Sequence, residues 1–98
     1  MSFVEYLSLA REDLVDAWMH VADDRGASAA DAYVDRVRDL CELIATQPEM
    51  GVARPEVASG VRSFPVDNYV IYYEVTESAL RILRVWHSSQ DPKGLRVG

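Results

Sequence analysis

Cysteine and lysine are almost absent from this 98-residue chain. Cys41 is the only cysteine, so an intramolecular disulfide is excluded, and a reducing compartment is consistent with that. Lys93 is the only lysine, and arginine supplies the remaining positive charge. The formal net charge is −6, so the chain lacks the basic footprint of a nucleic-acid-binding domain, and we expect no direct nucleic-acid partner.

Long apolar runs and clustered metal ligands are also missing. No stretch approaches the roughly 18 consecutive apolar residues of a membrane span, and the chain does not open with the pattern of a secretory signal. His20, His87 and Cys41 lack the spacing of a metal site, so we expect neither a metal nor another cofactor. We therefore expect one soluble, cytoplasmic domain over residues 1–98, since a chain of this length builds a single core.

The carboxy-terminal half is rich in strand-forming residues. Val61–Val66, Tyr69–Val75 and Leu80–Trp86 are runs of β-branched and aromatic residues that have the length of strands. Asp67 and Asn68 separate the first two runs, and both residue types tolerate the left-handed conformation of a tight turn. These runs predict a three-stranded antiparallel meander.

The amino-terminal half predicts one strand and two helices. Phe3–Leu7 is expected to form an edge strand, and Ser8 to cap a helix that begins at Leu9. Gly26 would end this helix, and Ser28-Ala-Ala-Asp31 resembles a capping box for a second one. Each helix carries one apolar stripe at three- and four-residue spacing, formed by Ala10, Leu14, Ala17, Trp18 and Val21 and then by Ala30, Tyr33, Val37, Leu40, Cys41 and Ile44.

The predicted fold class is α+β. It comprises an amino-terminal strand, an antiparallel helix hairpin and then the three-stranded meander, with the hairpin packed on one face of the sheet. Residues 47–59 are expected to form an ordered loop. The tail after His87 offers little core material and is expected to be mobile or to depend on a partner.

Several short motifs follow one another in a specific order along nearly the whole chain. They are Ser8, Ala10, Asp13-Leu14, Trp18 and Val21-Ala22, then Pro48, Met50-Gly51 and Arg54-Pro55-Glu56, then Gly60, Arg62-Ser63-Phe64-Pro65-Val66, Tyr69-Val70-Ile71 and Tyr73, and finally Ile82-Leu83-Arg84-Val85, His87 and Asp91. With the order of the predicted elements, these residues resemble the RelE/ParE superfamily of type II toxin–antitoxin toxins, and its ParE branch above all.

The resemblance implies a plasmid-stabilising type of toxin that forms a hetero-oligomeric complex with a ParD-like antitoxin. ParE-type members poison DNA gyrase, whereas RelE-type members cut messenger RNA on the ribosome. Since both branches share one fold, the residues have to decide between them.

Cleavage of RNA requires a base, an acid and positive charge at the phosphate. The candidates that the resemblance implies for this chemistry are Arg54, Arg62, Arg81, Arg84 and His87. The positions after His87, often basic in the superfamily, are Ser88, Ser89 and Gln90, and no second titratable group stands at a spacing that would activate His87. We therefore predict no catalytic residues and a toxin that acts by binding gyrase. A ribosome-dependent endoribonuclease remains the alternative, as does a degenerate toxin that only binds its antitoxin and represses transcription with it.

Five residues are candidates for partner binding, because arginine and tryptophan dominate binding hot spots. Arg62 and Arg84 have the plainer alternative of arginines on the sheet surface, and His87 that of a polar residue closing the last strand. Trp18 lies on the first apolar stripe, which favours the core, whereas Trp86 ends a strand and is the better interface candidate.

Acidic residues are concentrated in the first predicted helix. Glu12, Asp13 and Asp16, and then Asp23 and Asp24, are expected to form a solvated helix face. The alternative is that they meet basic residues of the antitoxin.

Overall fold

The structure, a computed structural model, describes residues 3–96. Within these residues, five strands form one sheet, and two helices pack against one of its faces. The elements in chain order are β1 (Val4–Tyr6), α1 (Ser8–Arg25), α2 (Ala27–Thr46), β2 (Val52–Ala53), β3 (Arg62–Val66), β4 (Tyr69–Val75) and β5 (Leu80–His87), with short 3-10 turns at Pro48–Met50 and Pro92–Gly94. The strand order is β1-β5-β4-β3-β2, so the predicted α+β class is confirmed.

The predicted meander is present as β3, β4 and β5. Both β3–β4 and β4–β5 pair antiparallel, and the second pair contains a register shift at Tyr72/Tyr73. Asp67 occupies the turn between β3 and β4 with a φ of 54°, the left-handed conformation that its residue type tolerates. The prediction for this turn is therefore confirmed.

The amino-terminal strand lies at the edge of the sheet, as predicted, and runs parallel to β5. Its register pairs Val4 with Leu80 and Tyr6 with Ile82. The Leu7 N–H then donates to the carbonyl of Ile82 at 3.1 Å, after which the chain turns into α1. Consequently β1 covers only the first part of β5.

Three local predictions were wrong. Residues 47–59 do not form a simple loop, because Val52–Ala53 pairs with β3 as a fifth strand at the other edge. Ser8 does not cap α1, since the helix begins at Ser8 itself and no side-chain cap bond forms there. Ser28–Asp31 is no capping box, because α2 already begins at Ala27, directly after Gly26. Gly26 ends α1 as predicted, with a φ of 95°.

The main core lies between the helix hairpin and the sheet. Both predicted stripes are buried there except Trp18 and Leu40, which are only partly buried. Burial raises the pKa of the Cys41 thiol to about 11, so this side chain stays uncharged at neutral pH. A smaller apolar cluster of Val61, Tyr72 and Leu83 forms separately from this core.

The tail after β5 covers part of this smaller cluster. Leu95 and Trp86 both pack against it. The carbonyl of Arg96 also accepts a hydrogen bond from Arg84 Nη1 at 2.9 Å. The tail is thus placed by contacts with the sheet, which the sequence had not predicted.

The buried hydroxyl of Tyr73 holds the segment that leads into β2. It donates to the carbonyl of Pro48 at 2.6 Å and accepts from the Gly51 N–H at 3.0 Å. A Cβ atom at position 51 would lie 2.2 Å from this hydroxyl oxygen and 2.8 Å from the Ser63 carbonyl. Only glycine therefore allows this close approach.

We expect Gly51→Ala to lower the free energy of unfolding by about 2 kcal/mol, because overpacking a filled site forces its neighbours to move. Urea unfolding followed by far-UV circular dichroism measures the loss. Gly94→Ala is the matched control, since a Cβ atom at position 94 would meet nothing within 4 Å. Equal stability of the two variants would contradict this account of Gly51.

Candidate partner-binding surfaces

One carboxylate attaches α1 to the end of β5. Asp13 accepts hydrogen bonds from Arg84 Nε at 2.7 Å, from Arg84 Nη2 at 2.9 Å and from the Val85 N–H at 3.0 Å. The side chains of Arg84 and Asp13 are only 12% and 13% exposed, so this bidentate ion pair is largely shielded from water. The bond to Asp13 raises the pKa of Arg84 although burial opposes it, and the guanidinium remains charged.

A polar groove runs between α1 and the end of β5. We call it the α1–β5 groove; its volume is about 460 Å³. It is lined by Asp13, Asp16, Ala17, His20, Tyr69, Arg84, Val85, Trp86, His87, Ser89 and Gln90. A second cavity of about 520 Å³ adjoins it and shares His20, Tyr69 and His87 with it.

His87 lies between the two cavities and contacts both α1 and β4. Its ring centroid is 6.1 Å from that of His20 and 4.9 Å from that of Tyr69. Its Nδ1 atom accepts the Ser89 N–H at 3.1 Å and lies 2.6 Å from Ser89 Oγ. These local bonds agree with a residue that closes the last strand.

Trp86 belongs to the smaller apolar cluster rather than to the main core. The Arg84 guanidinium carbon lies 4.9 Å from the centroid of its ring, a cation–π distance. The indole Nε1–H donates to the carbonyl of Gln90 at 3.3 Å. Three of the candidate residues thus lie together at the end of β5, namely Arg84, Trp86 and His87.

Trp18 lies on a different surface, formed by the two helices and β1. Its Nε1–H donates to Asp31 Oδ1 at 2.8 Å, the contact that Asp31 makes instead of capping α2. Beside it is an apolar groove of about 420 Å³, which we call the hairpin groove. The hairpin groove is lined by Tyr6, Arg11, Leu14, Val15, Trp18, Val34 and Arg38.

Arg62 lies near the opposite edge of the sheet, on β3. It donates through Nη1 to the carbonyl of Gly51 at 2.7 Å. Arg54 Nε nearby donates to the buried Ser63 Oγ at 2.8 Å. Arg81 is held between acidic residues of the two neighbouring strands, 2.9 Å from Glu74 and 3.7 Å from Glu5. The structure therefore does not bring Arg62 together with the residues at the end of β5.

Sequence reasoning missed two features of these surfaces. Asp13 was expected in solvent, yet it is the residue that joins α1 to β5. The lining of the hairpin groove by Val15 and Val34 was also missed, although Val15 is 59% exposed within an otherwise regular helix pattern. Asp13 is one of several acidic residues along α1, and nothing in the sequence distinguishes it from the others.

Within residues 3–96, no three His, Cys, Asp or Glu side chains come together in a way that could hold a metal ion. No helix in this part of the chain has the length and apolar character needed to cross a membrane.

Comparison with known proteins places the chain in a family. Residues 4–92 match the model of the ParE toxin of the type II toxin–antitoxin system parDE. Two relatives, each named Toxin ParE1, come from Mycobacterium tuberculosis strains CDC 1551 / Oshkosh and ATCC 25618 / H37Rv. Each is 26% identical over 83 residues, which cover 84% of this chain and 85% of the relative.

A solved structure has the same fold. It is described as the chromosomal ParDE TA system from P. aeruginosa, and it matches with a TM-score of 0.76 at 20% identity, covering 89% of this chain and 96% of the other. The family match, by contrast, rests on the sequence and extends over most of the chain. This protein therefore belongs to the ParE toxin family of type II toxin–antitoxin systems.

Proposed function

We propose that this ParE-type toxin inhibits DNA gyrase by direct contact and is neutralised by a ParD-like antitoxin. The family membership supports a toxin, and the solved relative with the same fold is described as a ParDE system. The side-chain geometry bears on one part of this proposal, namely that the toxin inhibits its target and does not cleave RNA.

The observation that carries the proposal is the dispersal of the cationic groups that RNA cleavage would use. Arg54 and Arg62 lie near the β2 edge of the sheet, where they bond Ser63 and the Gly51 carbonyl. Arg84 forms an ion pair with Asp13, and Arg81 forms one with Glu74. Phosphate chemistry requires convergent charge at one point, and the arrangement of these arginines favours a binding mechanism.

The end of β5 is the surface that we assign to the target. An 11.0 kDa inhibitor of a large enzyme must act through a contiguous contact area, and standard interfaces bury roughly 800 Å² per partner. Trp86 contributes aromatic area, and the Arg84 guanidinium lies over its ring. The tail lies against the same cluster through Leu95 and can rearrange when a partner binds.

We expect the purified toxin to inhibit gyrase supercoiling and Trp86→Ala to weaken this inhibition at least about thirtyfold, the usual consequence of losing an aromatic anchor worth about 2 kcal/mol. Phe3→Ala is the matched control, because Phe3 is 62% exposed and does not line the α1–β5 groove. A pull-down with the antitoxin shows that both variants remain folded.

Two outcomes would contradict the proposal. If the parent protein leaves supercoiling unchanged, gyrase is not the target. If programmed ribosomes incubated with the antitoxin-free protein show codon-dependent cleavage that His87→Ala abolishes, the protein is an endoribonuclease. Inhibition by Trp86→Ala at the parental level would instead move the contact surface away from β5.

The hairpin groove is the surface that we assign to the antitoxin. It is predominantly apolar, and Val15 in it is 59% exposed. Its cations are Arg11 and Arg38, the second of which lies 5.6 Å from the Tyr6 ring centroid. An apolar groove with basic margins fits an amphipathic helix that carries acidic residues beside its apolar stripe.

We expect the tail peptide of the antitoxin to bind with a large negative heat-capacity change, because a disordered segment that folds onto this groove buries apolar surface. Val15→Asp should weaken binding at least about thirtyfold, since it places an unpaired carboxylate in the apolar contact. Leu43→Asp is the control, because Leu43 is 48% exposed but does not line the hairpin groove. A heat-capacity change near zero, or equal affinities of the two variants, would refute the assignment; isothermal titration calorimetry measures both.

A further inference from the structure

β1 pairs with the outer edge of β5 only from Leu80 to Ile82. The rest of that edge continues in line towards His87. Where β1 is present, outward-facing backbone groups of β5 bond it: the Leu80 N–H donates to Phe3, and the Ile82 carbonyl accepts from Leu7. Beyond Leu7 the chain enters α1, and in the described part of the protein no strand lies beside the end of β5. The sheet therefore has an open position in line with β1.

Hydrogen bonds show which backbone groups face this open position. The Ser88 N–H points inward, to the carbonyl of Asn68 at 2.8 Å, whereas the Val85 N–H points outward, to Asp13. Since direction alternates along a strand, the Val85 carbonyl and the His87 N–H also point outward. A single residue of an added parallel strand can bond both groups: its N–H donates to the Val85 carbonyl, and its own carbonyl accepts from the His87 N–H.

The carboxylate of Asp13 takes the place that a carbonyl of an added strand would occupy beside the Val85 N–H. Its Oδ2 atom accepts the Val85 N–H at 3.0 Å, as the carbonyl of an added strand would. The next pair of groups, the Val85 carbonyl and the His87 N–H, opens into the α1–β5 groove. The groove and the unpaired edge are thus the same place in the molecule.

The charge along the groove and the adjoining cavity is negative. Asp13 pairs with Arg84, Asp24 with Arg25, and Asp67 with Arg36. The carboxylates without an ion-pair partner among residues 3–96 that line these cavities are Asp16 and Asp23.

Two of the same carboxylates act on the hydroxyl of Tyr69, which lines both cavities. Burial raises its pKa first, and the charges of Asp16 and Asp13 raise it further. An occupant of the groove with positive charge would therefore find complementary charge already in place.

We propose that the α1–β5 groove binds an extended, basic segment of a partner protein, which adds to the sheet as a parallel strand beside Val85 and His87. Strand addition supplies the backbone bonds, and lysine or arginine side chains of the segment meet Asp16 and Asp23. A second copy of this chain is the poorer occupant, because its own net charge is −6. The proposal holds whether or not gyrase is the target.

The probe for this site is a short synthetic peptide of alternating lysine and valine, titrated into the full-length, antitoxin-free toxin labelled with ¹⁵N. We expect shifts of the Val85 and His87 amide signals, slower hydrogen exchange at His87, and weaker binding as salt is added. Two peptides are controls: alternating glutamate and valine, and lysine and valine with N-methyl groups along one backbone edge. Neither control should bind comparably.

Charge reversal in the protein separates this site from a general attraction to an acidic molecule. We expect Asp16→Lys to weaken binding of the lysine–valine peptide about fivefold or more, the effect of replacing an attraction by a repulsion at a partly solvated site. Asp35→Lys makes the same change of charge on α2, outside both cavities, and should leave the affinity unchanged.

Each opposite result overturns the proposal. Absence of binding by the lysine–valine peptide removes the site. Equal binding by the N-methylated peptide shows attraction without strand addition, and equal binding by the glutamate peptide removes the charge argument. Equal weakening by Asp16→Lys and Asp35→Lys places the peptide elsewhere on the protein.

Discussion

The carboxylate of Asp13 is the group that joins helix α1 to the end of β5. It satisfies the outward N–H of Val85 where β1 has ended, and it neutralises Arg84 in a setting largely shielded from water. Arg84 in turn lies over the Trp86 ring and donates to the carbonyl of Arg96 in the tail. One side chain of α1 is therefore linked, through Arg84, to the last strand, its aromatic residue and the chain that follows.

Helix α1 separates two surfaces of opposite chemistry. One side carries Val15 and Trp18 in the apolar hairpin groove, with Arg11 at its margin. The other carries Asp16 and His20 in the polar α1–β5 groove. In the assignment that we propose, different residues of one helix contact the antitoxin and the target, so that the two surfaces can be used independently.

The sequence predicted those parts of the fold that local physics dictates. Strand-forming residues in β4, the left-handed turn at Asp67 and the helical stripes act through near neighbours, so a single sequence reports them. The strand Val52–Ala53 was missed because two residues are too few to show a strand pattern, and only their pairing with β3 makes them a strand. The proposed caps at Ser8 and Ser28 failed because the helices begin at or before these residues.

The candidate site was predictable only in part. Arg84 and Trp86 were named because arginine and tryptophan dominate binding hot spots, and the structure places them with His87 at the end of β5. The partner of Arg84 lies 71 residues away in sequence, and one acidic helix residue among several carries no mark of such a contact. Trp18 and Arg62 were grouped with them by residue type alone, and the fold places both on other surfaces.

A double-mutant cycle between Asp13 and Arg84 tests the role of this contact most directly. Asp13→Ala, Arg84→Met and the double variant are compared by urea unfolding, with methionine retaining much of the aliphatic stem of Arg84. If the two side chains act as one shielded unit, each single variant should lose about 3 kcal/mol or more, and the double variant little beyond that. Additive losses, with a coupling free energy below about 0.5 kcal/mol, would show that the pair does not hold the end of β5 in place.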